Sequence, residues 1–563
     1  MSKILQKFVI FLSFFCGLLN ICHSKLSDDQ VLQFAKHLEN IIERGKNIIN
    51  IPGVTFAVAR NGKVIYTKSI GQTTVDKNNP KNLSNDFLFP LSSVSKNVTA
   101  ILVGALVDDG KISFNDKVRK YYPEFYMKDE SLSNEMTIRD LLSHRSGFEH
   151  FAADTLFKGG YSNEKVLDAF KYLKHNESNF RRVYEYQNIV FGIIGIVLER
   201  ATGEKYEDLV QKYIFDKMEM KTSSAISLAF ESSKFAYFKY MCSRFGHDKK
   251  RLGFFSAIFN LTKKTLQHKS KKIVTSHSRY NDEIIPLDQI GMFHKFPATS
   301  GISFSAEDFG KWMEMLASNG KYKDKIIISE KTFNELTSKH SIILGLKDDD
   351  VTFPRHRYSR KDPYYGMGFF KFCYSNNDKD NRDILCHMGG IYGSTAYIAV
   401  VPEEDISIGV VSNLGGVSIT LFSEYMVNQF LDLCFGFEGI DWIQADIDRK
   451  NKFRTMQQKF FQNIARIPQP HGRLEKYVGR YTNEIYGDLN IELSDDYLYL
   501  SNGIRKVKLN HLNGTVFTFP SKDMMYIYFD AEEYMHFILD QKGNVSSLIV
   551  SCFAENDSKF IKR

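Results

Sequence analysis

Behind Ser27 the apolar residues Val31, Phe34, Ala35, Leu38, Ile41 and Ile42 recur at helical intervals, which predicts an amphipathic first helix. Ser27 and Gln30 form the capping box that starts it. The period then changes. VTFAVAR and KVIYTKSIG flank Asn61-Gly62, the pair that a tight hairpin turn favours, so two strands are expected there. A long middle section follows in which helical spacing dominates. Strand-like runs return in YYGMGFFKFCY, DILCHM, GSTAYIAVV and ISIGVVSN, the last two joined by PEED, and a helix from about Val417 to Leu433 closes this part. The pattern predicts an α+β fold: one antiparallel sheet built from both ends of the region, flanked by helices, with an inserted, mostly helical region. Residues 440–473 are polar and end in IPQPHG, which reads as a linker. Beyond them YVGRYTNEIYGDLNIELSDDYLYLSNGIRKVKLNHLNGTVFTFP and MMYIYF alternate in short runs, predicting a small all-β, barrel-like domain over 474–563.

Composition narrows the picture. A chain of 563 residues exceeds one ordinary core, while 43% apolar and 25% charged residues are globular values and exclude a disordered chain. The first residues carry Lys3 and Lys7, an apolar stretch from Phe8 to Leu19, and small residues near Ser24. Residues 1–24 therefore read as a signal peptide that directs the chain to secretion or the secretory lumen, with the α+β region over 25–439. An uncleaved anchor is the alternative, and it would bring a membrane partner. Removing Lys3 and Lys7 takes the formal net charge from +8 to +6, which points to no nucleic-acid partner. The basic stretch Lys249 to Lys272 reads as a solvated insertion, with an anionic or membrane surface as its alternative. A polar loop between two apolar runs suggests a hairpin that sets Cys373 across from Cys386, as a disulfide or as two free thiols. Asn82, Asn97, Asn176, Asn260, Asn513, Asn544 and Asn556 head glycosylation sequons, which suits a secreted glycoprotein. The helical position of Asn97 beyond Ser93 makes NVT a sequon without a glycan. No His-Glu-x-x-His or paired Cys-x-x-Cys is present, so no metal or other cofactor is implied.

The chemistry lies in FPLSSVSKNVTAILVGALVDDGKISFND. Ser-x-x-Lys occurs at Ser93/Lys96, Ser162/Lys165 and Ser318/Lys321, so the tetrad alone decides nothing. Only Ser93 precedes an apolar helical run. There Lys96 shares the serine's face, burial would let the lysine shed its proton, and the helix start favours developing negative charge. A serine hydroxyl needs such a base. Tyr-x-Asn occurs at Tyr161, Tyr186, Tyr374 and Tyr481, and only Tyr186/Asn188 is followed by a long apolar helical run, in YEYQNIVFGIIGIVLERATG. Tyr186 is expected as the second proton carrier and Asn188 as a contact to a substrate amide. His387 stands in CHMGG, where Gly389 and Gly390 allow a substrate backbone to approach and the Gly390 N–H could complete an oxyanion hole.

These segments, with MTIRDLLSHRSGF, SGISFSAEDFGKWMEMLASNGKY and YYGMGF between them, resemble in order the serine β-lactamase-related hydrolases: the class C β-lactamase, penicillin-binding protein, esterase and D-aminopeptidase group, with its animal lactamase-like branch. The resemblance covers about residues 28 to 435. It implies a β-lactamase/transpeptidase-like fold and a secreted serine hydrolase cleaving a small-molecule or peptide amide or ester through a Ser93 acyl-enzyme. Lys96 and Tyr186 would handle protons, the Ser93 and Gly390 N–H groups would hold the oxyanion, and Asn188, His387, Gly389 and Gly390 would contact substrate. His387 stands where the lactamases proper carry lysine, which argues against β-lactam hydrolysis, although a protonated histidine could bind a carboxylate. His144 of LLSHRSG is expected to pack a loop. The C-terminal part resembles the lipocalin-like domain appended to many of these hydrolases. The competing reading is a catalytically silent binding or scaffold protein. The oligomeric state stays open.

Overall fold

The computed structural model describes residues 25–563 except 76–79, 159–160, 226–271, 281–282, 288–295, 345–356, 377–379, 392, 416–419, 504–505, 521–531 and 554–558. The signal segment, nearly all of the basic stretch, MMYIYF and the Asn260 and Asn556 sequons lie outside the described residues. Helix α1 (Asp28–Ile49) begins at the Ser27/Gln30 capping box and ends at Asn50 in the left-handed conformation. Strands β1 (Gly53–Arg60) and β2 (Lys63–Gly71) meet at Asn61 and Gly62, whose φ values of 48° and 67° make the predicted turn. The inserted region follows, with α2 (Ser95–Asp108), α3 (Asn188–Thr202) and α4 (Ala306–Ala317) as its long helices. The chain then returns to the sheet through β3 (Ser341–Ile342), β4 (Tyr358–Tyr365), β5 (Phe370–Asn376), β6 (Asp380–Ile391), β7 (Ser394–Val401) and β8 (Ile406–Ser412), and α5 (Phe422–Phe435) closes it.

The strands form one antiparallel sheet in the order β2-β1-β8-β7-β6-β5-β4-β3, so β1 and β8, far apart in sequence, are neighbours one strand in from the β2 edge. Strand alternation sorts the core into two layers. Phe56, Val58, Ile408 and Val410 pack under α1 and α5 with Leu38, Ile42, Phe422 and Tyr425. Ala57, Ala59, Ile398 and Val411 face the other way, toward α4 and the helical insertion. Gly409 admits the α4 ring, since a Cβ there would lie 2.1 Å from Phe309 Cζ.

Two expectations need correction or refinement. The β5–β6 register pairs Cys386 with Phe370 and Cys373 with Asp383, so the two cysteines are not opposite one another, and no disulfide joins them. The segment read as a linker carries a 23-residue helix, α6 (Trp442–Ile464). Only its first turns are buried. There the Trp442 Nε1–H donates to Asp432 Oδ2 at 2.9 Å, and Asp446 Oδ1 accepts from the Leu421 N–H at 2.9 Å.

After α6, β9 (Gly479–Asn483), β10 (Gly487–Ser494), β11 (Tyr497–Ser501), β12 (Lys506–Lys508), β13 (Asn510–Asn513), β14 (Val516–Pro520), β15 (Glu532–Leu539), β16 (Val545–Val550) and β17 (Lys559–Lys562) form a second antiparallel sheet. Its order, β12-β11-β10-β9-β17-β16-β15-β14-β13, begins and ends on strands adjacent in sequence, so the sheet nearly closes as a barrel around Tyr477, Tyr481, Phe517 and Phe537. No helix among the described residues is long and apolar enough to cross a membrane.

Candidate active site

Ser93 sits in a single 3-10 turn, Ser92–Val94, that runs directly into α2. Ser92 has a φ of 54°, a left-handed conformation that a side chain disfavours, and this holds the turn away from the path a plain helix start would take. The turn is pinned from below: Ser394 Oγ donates to the Pro90 carbonyl at 2.6 Å, and the Leu91 N–H donates to the Ile302 carbonyl at 2.9 Å. Helix α2 is buried on every side through its first three turns, because its sequence there is apolar or small apart from Lys96 and Asn97, which bond Asn188 and the Gly368 carbonyl, and Thr99 and Ser95 spend their hydroxyls on Ala298 and Ile302. Lys96 is therefore dragged into the interior while Ser93 stays half-buried at its edge.

The loop before α3 brings Tyr186 and Asn188 to the same place. The Tyr186 hydroxyl donates to Ser93 Oγ at 2.8 Å, and Lys96 Nζ stands 3.1 Å from the same oxygen. Lys96 Nζ also reaches Asn188 Oδ1 at 2.8 Å and the Thr299 carbonyl at 3.3 Å. Burial pulls the Lys96 pKa from 10.5 down to about 7, against the opposing field of Asp154. Burial pushes the Tyr186 hydroxyl the other way, well above its ordinary value, with the Ser93 hydrogen bond working against the rise. Near neutral pH the pair is thus an amine able to accept a proton and a phenol that keeps one.

The glycines also converge. A Cβ on Gly389 would lie 2.4 Å from the Leu91 carbonyl oxygen and 3.1 Å from Ser93 N, so β6 can run against the nucleophile's backbone only with glycine there. Gly390, paired with Thr395, is the next residue along that strand.

Two of the expected site residues lie deeper than the nucleophile. His387 is fully buried, its Nδ1–H donates to the Met388 carbonyl at 2.7 Å, and its Nε2 accepts from the Tyr365 hydroxyl at 3.1 Å. Burial and the nearby Lys96 lower its pKa to about 3. It is a neutral histidine behind the site, with no positive charge to offer a carboxylate. Asn188 is 8% exposed and turned inward: besides taking Lys96, it donates from Nδ2 to Asp154 Oδ2 at 2.6 Å. Its amide therefore links the lysine to Asp154.

The rival motifs lie elsewhere. Ser162 caps a short helix, accepting the Lys165 N–H at 3.2 Å, and Ser318 ends α4. Tyr374 bonds Asp432 at 2.8 Å under the sheet, and Tyr481 is a core residue of the C-terminal barrel. His144 is buried among Tyr184, Tyr186, Phe191 and Tyr365, and its Nδ1 accepts the Gln187 N–H at 3.2 Å, which braces the Tyr186 loop. Sequence reasoning missed Asp154 and the Thr299 carbonyl. A lone aspartate in FAADTLF and a backbone oxygen form no motif.

The family described as Beta-lactamase matches residues 38–418, and the Domain of unknown function (DUF3471) matches residues 465–562. Among curated proteins, "Unguisins hydrolase ungD'" of Aspergillus campestris is 22% identical over 479 residues, covering 81% of this chain and 77% of that protein. "Protein flp" of Staphylococcus aureus (strain N315) is 21% identical over 414 residues, covering 73% and 68%. In fold, the chain is similar to the octameric penicillin-binding protein homologue from Pyrococcus abyssi, with a TM-score of 0.53 and 18% identity over 94% of this chain and 100% of that one. It is also similar to a class C beta-lactamase, with a TM-score of 0.51 and 16% identity over 74% and 99%.

Proposed function

The chain belongs to the Beta-lactamase family of serine hydrolases, and on that premise we propose that it cleaves a peptide, amide or ester bond through an acyl-enzyme on Ser93. One observation carries the reading: a depressed lysine and a protonated tyrosine converge on a single half-buried serine oxygen. Neutral Lys96 takes the Ser93 proton as Oγ attacks the substrate carbonyl. The backbone N–H groups of Ser93 and Gly390 are assigned to the oxyanion. Collapse of the tetrahedral intermediate breaks the bond to the leaving nitrogen or oxygen, which receives the Tyr186 proton, and Tyr186 regains one from the Lys96 ammonium. A water molecule then attacks the acyl-enzyme by the same route in reverse. No step calls for a metal or other cofactor.

The buried, neutral His387 offers no positive charge to a substrate carboxylate, which favours amides and esters over β-lactams. A relative named as a hydrolase supports bond cleavage over scaffolding. Residues 1–24 are proposed to direct the chain to secretion, and 474–563 to fold as a separate barrel-like unit after the α6 segment. The test is a screen of purified protein against D- and L-aminoacyl amides, short esters and a chromogenic cephalosporin, with Ser93→Ala beside it. Turnover of an amide or ester that Ser93→Ala lacks is expected. A folded wild type that turns over none of them would replace this reading with the binding or scaffold one.

A further inference from the structure

Asp154 opens the short helix Asp154–Lys158 and is 4% exposed. The loop leading to it is held in an unfavourable shape: Phe151 and Ala153 have φ values of 58° and 61°. It is tied to the tyrosine loop at two points, with the Phe151 N–H donating to the Tyr186 carbonyl at 2.7 Å and His150 Nδ1 accepting the Tyr186 N–H at 2.6 Å. This shape delivers the Asp154 carboxylate to the back of Asn188.

An asparagine amide has an accepting end and a donating end, and its own shape does not decide which faces a neighbour. Lys96 offers only N–H groups while charged, so it needs the oxygen. Asp154 accepts and does not donate while ionised, so it takes the NH2 group. The observed chain, Asp154 Oδ2 to Asn188 Nδ2 at 2.6 Å, Asn188 Oδ1 to Lys96 Nζ at 2.8 Å and Lys96 Nζ to Ser93 Oγ at 3.1 Å, satisfies every member in one order only. We propose that Asp154 is a positioning residue for the Ser93 reaction, fixing the Asn188 amide toward Lys96 and lending its negative charge to the lysine; the proposal rests on the acyl-enzyme reading above.

The remaining groups around Lys96 leave Asp154 as the charge that matters. Tyr186 holds its proton, and both His144 and His387 are held neutral by burial, with Lys96 itself adding to that effect. Thr299 contributes a carbonyl and Phe191 a ring face. Asp154 is the charge that opposes the fall in the Lys96 pKa.

The experiment follows the rate of Ser93 modification by a fluorophosphonate across pH, in which Oγ displaces fluoride from phosphorus and the serine proton passes to Lys96. Asp154→Asn removes the negative charge, so Lys96 becomes neutral at lower pH. The midpoint of the rate should move down by about one pH unit, and the plateau should fall because the amide is no longer oriented. Asp154→Ser, smaller and also uncharged, should move the midpoint the same way and serves if the asparagine variant misfolds. Asp154→Glu should keep the wild-type midpoint. A part confined to folding would lower the amount of labelled protein without moving the midpoint, so an unmoved midpoint in a folded uncharged variant overturns the proposal and leaves the acyl-enzyme reading intact. A wild type that takes no probe at Ser93 overturns that reading and this inference with it.

Discussion

Replacing Gly389 by alanine should disable the site while leaving the fold largely in place. The added Cβ would stand 2.4 Å from the Leu91 carbonyl oxygen, 3.0 Å from Ser92 Cβ and 3.1 Å from Ser93 N, whereas ordinary contact begins at 3.4 Å. The neighbours must give by about 1 Å. Leu91 cannot give easily, being fully buried with its N–H bonded to the Ile302 carbonyl. The displacement therefore passes into Ser92, already strained at a φ of 54°, and into the nucleophile. A shift of about 1 Å at a reacting atom costs about 10²-fold in rate, and overpacking costs about 1–3 kcal/mol of stability. Gly409→Ala is the matched control, because its Cβ would meet Phe309 Cζ at 2.1 Å in the core, away from Ser93. Thermal unfolding and the turnover of folded protein are measured for both. Both variants should lose stability, and only Gly389→Ala should lose about two orders of magnitude in kcat. Wild-type kcat in folded Gly389→Ala would refute the close-approach argument.

Three further outcomes follow from the same geometry. Acylation should fall tenfold per pH unit below about 7 as Lys96 takes up its proton, and stability should rise with pH between about 7 and 10.5, because there the unfolded lysine holds a proton that the folded one releases; rate and unfolding profiles of wild type check both. In a secretory host, glycopeptide mapping should find Asn97 bare, since it is fully buried with its amide donating to the Gly368 carbonyl, and Asn513 bare, since its amide donates to the Ile464 and Ile467 carbonyls at 2.7 and 3.0 Å; exposed Asn82, Asn176 and Asn544 remain open to modification, and a glycan on Asn97 in active protein would contradict the placement of α2. Peptide mapping without reduction should find no Cys373–Cys386 link, and buried Cys386 should react with alkylating reagents only after unfolding; a linked peptide would overturn the β5–β6 register.

Much of this architecture was legible from local pattern. Ser27, Gln30 and the helical spacing behind them mark α1, and Asn61-Gly62 marks the first hairpin, because capping and turn chemistry depend on neighbouring residues alone. Ser93, Lys96 and Tyr186 were legible for a related reason: the three-residue spacing brings the first two together even though Ser93 stands in the 3-10 turn before α2, and the apolar start of α3 marks the third. Long-range register was not. Cys373 and Cys386 flank a loop whose length sets their offset, and no residue in it forces an opposite pairing. Helix α6 was hidden because only its first turns, with Trp442, Ile443, Asp446 and Arg449, are buried, so most of its length reads as a polar connector. His387 lies where its motif puts it, yet its exposure depends on Tyr365 and Phe370, which neighbouring strands supply. Asp154 is silent in sequence, because its partner is a side chain at the start of α3, distant along the chain.

Whether Ser93 is the nucleophile is decided by treating the folded wild type with a fluorophosphonate and locating the adduct by peptide mass. A single adduct on Ser93 is expected, with none on Ser162 or Ser318, no labelling in Ser93→Ala, and labelling slowed about 10²-fold or more in Lys96→Ala and Tyr186→Phe. An adduct on another serine, or undiminished labelling of Ser93→Ala, would contradict it.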